Sequence, residues 1–232
     1  MAEGLPSVLV AGGTGALGAA VLGELLESGY PVTATWVVPE ERERVEEDFG
    51  GHDRLTLVEA DVMREQAVLE ALMSVGHLGA IVNLVGGFSA PGKVHESTVD
   101  DFESMLRLNL RPAFLLAHVG IPRLVQMGGG AFVCVSARPA LRPFAGAAGY
   151  ATAKAGVLAF IHALDTEYRN EGVRCNAILP SVIDTPANRA GQPDADYSKW
   201  VPPQQIAKVI RFLVSDDSLP ISGAAVPVYG RA

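Results

Sequence analysis

Cysteine is scarce: the 232 residues hold two, Cys134 and Cys175. Both lie inside apolar runs, FVCVS and VRCNAIL, so they read as buried thiols of a reducing compartment. A disulfide framework has no support. The five histidines are scattered, which leaves no His-based cluster, and no metal is expected. Long apolar runs are missing as well. None approaches the roughly 20 residues a membrane helix needs, and SVLVAGG has no charged segment ahead of it such as a signal peptide carries. The expectation is a cytoplasmic protein with no membrane partner. Positive charge is in deficit: 18 Lys and Arg against 26 Asp and Glu give a net charge of -8. That balance argues against nucleic acid as the main partner, because phosphate backbones need a basic surface.

What is present alternates. Short β-rich apolar runs at 7–11, 32–37, 55–59, 80–84, 131–135, 174–179 and 225–228 predict strands. Between them, helical patterns cover 16–28, 39–49, 64–74, 99–126, 150–170 and 203–214. Runs such as SVLVA and AFVCV are apolar on both faces, as central parallel strands covered by helices require. The alternation predicts one α/β domain over residues 1–232, a doubly wound sheet of the Rossmann type with helices on both faces. One long irregular stretch, PANRAGQPDADYSKWVPP, breaks the rhythm at about 186–202. A loop of that length reads as a lid or substrate-binding loop. Tyr197 and Trp200 within it would either line a flat aromatic pocket or pin the loop to the core.

After the first strand comes Gly12-Gly13-Thr14-Gly15-Ala16-Leu17-Gly18. Glycines between a strand and a helix let the turn tighten and the backbone approach a pyrophosphate, whose charge suits the free N–H groups of a helix start. Strand, loop and helix occur in that order here, so the segment predicts dinucleotide binding. An NAD site commonly ends its second strand on an acidic residue that binds the adenosine ribose. This chain has Trp36 and Val37 there, followed by Arg42 and Arg44 among several glutamates. The missing acid tilts the reading toward NADP over NAD. Asp61-Val62, after the third strand, is placed to contact the adenine, or to cap the helix that follows.

Tyr150 and Lys154 stand four apart in a helical pattern and therefore share a face. A tyrosine titrating near ~10 is a poor proton donor and acceptor at neutral pH, and a nearby ammonium lowers that value. The pair predicts acid-base chemistry beside the cofactor.

With these pieces in order, the chain resembles the short-chain dehydrogenase/reductase family over essentially its whole length. The matching segments are GGTGALG, ADV at Asp61, NLVGG at Asn83, LRLNLRPAF around Asn109, YATAK, NAILPSVIDTP from Asn176, and SGAAVPVYG. The resemblance implies a seven-stranded parallel sheet and hydride transfer between NAD(P)H and a small organic carbonyl, alcohol or C=N centre. It implies Tyr150 as proton donor or acceptor, Lys154 as ribose ligand and tuner of the tyrosine, and Asn109 as holder of a relay water. Asn83 and Gly86 would line the cofactor, and Pro180, Ile183 and Thr185 would seat the nicotinamide carboxamide. It also implies a homodimer or homotetramer.

Two positions depart from the family pattern. Its catalytic serine lies 13 residues before the tyrosine, where this chain has Ala137, and Ser181 stands where glycine is usual. Ser136 is adjacent, but neighbouring strand residues point to opposite faces. Three readings stay open. The substrate is electronically activated and needs no serine; another residue such as Ser136 replaces it; or the protein binds cofactor without turnover, for regulation or interaction. The dihydropteridine reductase branch, which GGTGALG, GYATAK and PSVIDTPANR also resemble, lacks the serine and reduces a conjugated dihydropterin. The resemblance to that branch is carried without its acidic residue at the end of the second strand.

Overall fold

Strands that are apolar on both faces need cover on both faces, and the arrangement supplies it. The computed structural model describes residues 4–231. In chain order the elements are β1 (Ser7–Ala11), α1 (Ala16–Glu27), β2 (Val32–Trp36), α2 (Pro39–Phe49), β3 (Leu55–Glu59), α3 (Glu65–Met73) and β4 (Leu78–Asn83). There follow α4 (Val99–Asn109), α5 (Arg111–Gln126), β5 (Gly130–Val135), α6 (Ala148–Tyr168), β6 (Val173–Pro180), α7 (Pro186–Gly191), α8 (Pro203–Val214) and β7 (Ala225–Val228).

The strands of the described residues form one sheet in the order β3-β2-β1-β4-β5-β6-β7, each pairing parallel. Side chains of a strand alternate between faces. Along β1, Leu9 and Ala11 enter the core shared with α3, α5 and α6, while Val8 and Val10 enter the core shared with α1 and α8. Strand order reverses between β1 and β4, where Ala11 pairs with Asn83. In such sheets a crevice opens there beyond the carboxyl ends of the strands, and ligands bind in it. Among the described residues no helix is long and apolar enough to cross a membrane.

Two expectations need correction. The helical pattern at 99–126 is two helices. Leu110 (φ -102°, ψ -39°) separates α4 from α5, with Pro112 in the first turn of α5. Proline has no N–H to continue the preceding ladder, and its ring disfavours helical geometry in the residue before it. The stretch at 186–202 is also less irregular than its composition suggests. It contains α7, whose N-cap Thr185 accepts from Asn188 N at 3.2 Å, and a 3₁₀ turn at Tyr197–Lys199.

Candidate active site

The glycine loop sits at the carboxyl end of β1, held from the side by β2. Gly12 N donates to Thr35 Oγ1 at 3.1 Å and Gly13 N to the Thr35 carbonyl at 3.1 Å. The start of α1 has Gly15 as N-cap and no side-chain cap, so its first N–H groups have no side-chain partner. A Cβ on Gly18 would stand 2.3 Å from the Gly13 carbonyl oxygen, so loop and helix can close only around glycine. Uncapped N–H groups beside a loop of bare backbone fit a dinucleotide pyrophosphate. Thr14 lies in this loop, and Ala16 and Leu17 open α1.

At the adenosine end, Arg42 lies 5.2 Å over the Trp36 ring and pairs with Glu46 at 2.5 Å. Thr14 Oγ1 donates to Glu41 Oε2 at 3.3 Å, so a carboxylate reaches the phosphate loop from α2 although β2 ends without one. Asp61 does not cap α3. Its Oδ1 accepts from Met63 N at 3.0 Å in a local turn, and Arg64 holds the N-cap position. Val62 is buried against the core. A cavity of about 640 Å³ lies between α2 and the β3 edge, with Trp36, Arg42, His52 and Glu59 among its walls. Tyr150, Lys154 and Asn109 do not line it.

Tyr150 and Lys154 sit on the first turns of α6, against the carboxyl end of β5. Lys154 is buried and its Nζ donates to the Val135 carbonyl at 2.9 Å; burial brings its pKa down to about 8. Tyr150 is half-buried, with the Lys154 Nζ 5.9 Å from its ring centre. The expected lowering of the tyrosine is not present: burial pushes Tyr150 up to about 12. The ammonium is tethered to the Val135 carbonyl and does not offset that desolvation.

Asn109 ends α4, and the helix break after it lets its carboxamide turn to the loop beyond β4. Oδ1 accepts from Gly87 N at 3.1 Å, and Nδ2 donates to the carbonyls of Gly87 and Met105 at 3.1 Å each. Gly86 lies between these groups. A Cβ there would be 2.6 Å from Asn109 Oδ1 and 3.0 Å from Lys154 Nζ. Three separated segments therefore converge on one bare peptide. Asn83, buried at the end of β4, accepts from Val85 N at 3.1 Å and fixes the loop that carries Gly86.

Ser136 points away from this centre. Its hydroxyl is buried and donates to the main-chain carbonyl of Lys154 at 2.8 Å, so it is not aimed at the reacting position that a catalytic serine would serve. Ala137 is 6% exposed, in extended backbone, and brings no donor.

On the far wall, Pro180 ends β6. Ile183 pairs with Val201, and its carbonyl accepts from Asn188 Nδ2 at 2.8 Å. The Ser181 hydroxyl donates to the Tyr229 carbonyl at 2.8 Å, which ties the loop to the end of β7. Tyr197 and Trp200 act as anchors within their own loop. Their ring centres are 4.7 Å apart, the Arg189 guanidinium covers Tyr197 at 4.7 Å, and Trp200 is buried.

Phe88 and Phe144 were passed over in the sequence, although FSAP and RPFAG each set one large apolar residue in a loop of small and polar ones. Phe88 stands edge-on to the Tyr150 ring at 5.0 Å, and Phe144 lies 6.2 Å from Phe88.

Comparison with known proteins agrees with this geometry. The family model for short chain dehydrogenase matches residues 6–196. The chain is 30% identical over 194 residues to a 2-(R)-hydroxypropyl-CoM dehydrogenase of Xanthobacter autotrophicus, covering 77% of this chain and 78% of that one. It is 29% identical over 235 residues to the 3-oxoacyl-[acyl-carrier-protein] reductase MabA of Mycobacterium tuberculosis, covering 97% and 91%. Among solved structures, ElxO with NADP bound superposes with a TM-score of 0.90 at 23% identity, over 97% of this chain and 98% of that one. The chain belongs to the short-chain dehydrogenase family and is an NAD(P)-dependent oxidoreductase.

Proposed function

Starting from that membership, we propose that the chain reduces a conjugated carbonyl or C=N acceptor, a quinonoid dihydropterin being one candidate. The observation that carries this reading is the meeting of Asn109 and Lys154 at Gly86, with Tyr150 one turn before Lys154 on α6 and an alanine at 137. When bound, the reduced nicotinamide supplies the hydride. Gly12, Gly15 and Gly18 would hold its pyrophosphate, and Lys154 its ribose. The Tyr150 hydroxyl gives its proton to the substrate oxygen or ring nitrogen as electron density builds there. A tyrosine held at about 12 keeps that proton at neutral pH, as a donor in the reducing direction must. The tyrosinate left behind lies near the Lys154 ammonium, 5.9 Å from its ring centre, and takes a proton back from solvent water, while Asn109 braces the loop at Gly87.

A donor aimed at developing charge is worth on the order of 10²–10³ in rate. Without one at 137, an acceptor whose charge delocalises over a conjugated system loses least. For the adenosine end we favour NADP(H). Arg42 supplies the cation for a 2′-phosphate, and Glu41 opposes it from Thr14. Glu41→Gln is expected to tighten NADPH more than NADH in a fluorescence titration. Assembly as a homodimer or homotetramer through α5 and α6 is supported by Phe114, exposed on α5, stacked on His118 and 6.1 Å from Phe160 of α6. Light scattering after gel filtration tests it.

The deciding experiment measures NADPH and NADH oxidation with quinonoid dihydropterin, 1,4-naphthoquinone and cyclohexanone. Turnover of the conjugated acceptors well above cyclohexanone supports the proposal. Cofactor binding with no turnover of any acceptor overturns it and leaves the protein a binding module.

A further inference from the structure

Two large apolar side chains stand in solvent at the mouth of the site. Phe88 is 59% exposed and Phe144 is 50% exposed, whereas the core aromatic Phe132 is fully buried. They come from different loops, one after β4 and one between β5 and α6, which meet backbone to backbone. A Cβ on Gly146 would lie 3.7 Å from Gly92. The first loop is held in shape by its own contacts, with Lys93 N donating to Glu96 Oε2 at 2.7 Å and Ser97 Oγ to the Gly92 carbonyl at 3.3 Å. The rings thus sit on braced supports.

Their geometry is continuous with the catalytic tyrosine. Phe144 tilts 41° against Phe88, and Phe88 stands at 89° to Tyr150, so three aromatic rings run from solvent to the Tyr150 ring. Leaving half or more of two phenyl groups exposed forgoes part of the stabilisation that burial gives, and contiguous exposed apolar surface marks a binding site. Aromatic faces favour offset and edge-on contacts with other flat π systems, an attraction beyond that of the area buried. A saturated ring of equal size gains the area term and not the second.

We propose that Phe88 and Phe144 are specificity-determining residues that select a flat, conjugated ring and lay it against Tyr150. This deepens the function proposed above, because it names the shape and class of that acceptor. The Phe88 edge also contributes to the apolar surroundings of Tyr150, so the wall that recognises the substrate belongs to the wall that keeps the donor protonated.

The test is binding, so that it is independent of turnover. Isothermal titration with the NADPH-loaded protein, in which neither alcohol can be oxidised, compares 2-naphthol with decahydro-2-naphthol, which has the same skeleton without the π system. Wild type is expected to bind 2-naphthol about tenfold more tightly than the saturated analogue. Phe88→Ala and Phe144→Ala each weaken 2-naphthol severalfold, and Phe88→Leu/Phe144→Leu, which keeps apolar bulk, abolishes the preference while NADPH affinity is retained. Equal binding of the two probes by wild type, or a preference that survives the double leucine variant, overturns the proposal. A protein that prefers 2-naphthol yet turns over no acceptor sinks the redox reading alone. One that reduces quinones but ignores 2-naphthol sinks the aromatic wall alone.

Discussion

The Ser136 hydroxyl donates to the main-chain carbonyl of Lys154 across 2.8 Å, while the Lys154 ammonium donates to the carbonyl of Val135, the residue before Ser136. The last residue of β5 and the one after it therefore hold the lysine at both its tip and its backbone. The serine serves the lysine and does not face the substrate. Ser136→Ala is expected to cost about 1 kcal/mol, the usual net worth of one hydrogen bond, in denaturant unfolding. Its kcat should fall less than tenfold. A loss of 10²–10³ would mark a donor aimed at the reacting atom and would return Ser136 to catalysis.

Tyr150→Phe keeps the ring that Phe88 touches edge-on and removes the hydroxyl alone. The expected outcome is a drop in kcat of about 10²–10⁴, the span attributed to a positioned acid or base. NADPH affinity should change less than threefold, because the cradle around Gly12, Gly15 and Gly18 is untouched. Steady-state kinetics together with a cofactor titration separate the two effects.

Burial holds Lys154 at about 8 against an ordinary value of 10.5. Below pH 8 it is charged both folded and unfolded, and the fold bears the full cost of the buried ammonium. Between pH 8 and 10.5 the unfolded chain binds the proton that the folded chain has released, so this group makes stability rise with pH. The total is up to about 3 kcal/mol. Cys134 and Cys175, each pushed up to about 12 by burial, act in the opposite sense above pH 9. Hence the quantity to measure is the difference between wild type and Lys154→Met. The variant's relative advantage should shrink across that window and stay flat below it.

The parts of the fold that could be read from the sequence are those fixed by local pattern. The strands showed because both faces are apolar, and Tyr150 and Lys154 because four residues make about one helical turn. The break at Leu110 did not show, since the apolar period runs on through LNLRPAF and Pro112 is tolerated in a first turn. That break is what turns the Asn109 carboxamide toward Gly87. The aromatic wall was equally hidden, because Phe88 and Phe144 meet only once two distant loops close at Gly92 and Gly146. In the sequence Glu41 is one of several glutamates around Arg42 and Arg44, and the packing of α2 brings it to Thr14.

Gly86 is the bare peptide on which the site converges. In Gly86→Ala the new methyl would stand 2.6 Å from Asn109 Oδ1, whose carboxamide is buried and bonded to Gly87 and Met105. The lysine tip, 3.0 Å away, can yield, but the asparagine cannot without losing those bonds. Overpacking of this kind costs about 1–3 kcal/mol. The variant is expected to unfold at lower denaturant and to bind NADPH at least tenfold more weakly, both measurable without any substrate.

Ala137→Ser restores a hydroxyl at the position from which the family's serine acts. Ala137 is 6% exposed and its backbone is extended, a conformation serine adopts without strain. What the hydroxyl does depends on the acceptor. A simple ketone concentrates charge on its oxygen as hydride arrives, and a second donor there is worth on the order of 10²–10³ in rate at full effect. A conjugated acceptor spreads that charge and has less to gain. The expected outcome is therefore a gain of about tenfold or more in kcat/KM for cyclohexanone and a change within threefold for quinonoid dihydropterin or 1,4-naphthoquinone. An equal gain on all three would mean that the missing hydroxyl impairs the site whatever the substrate, and the alanine would no longer argue for an activated acceptor.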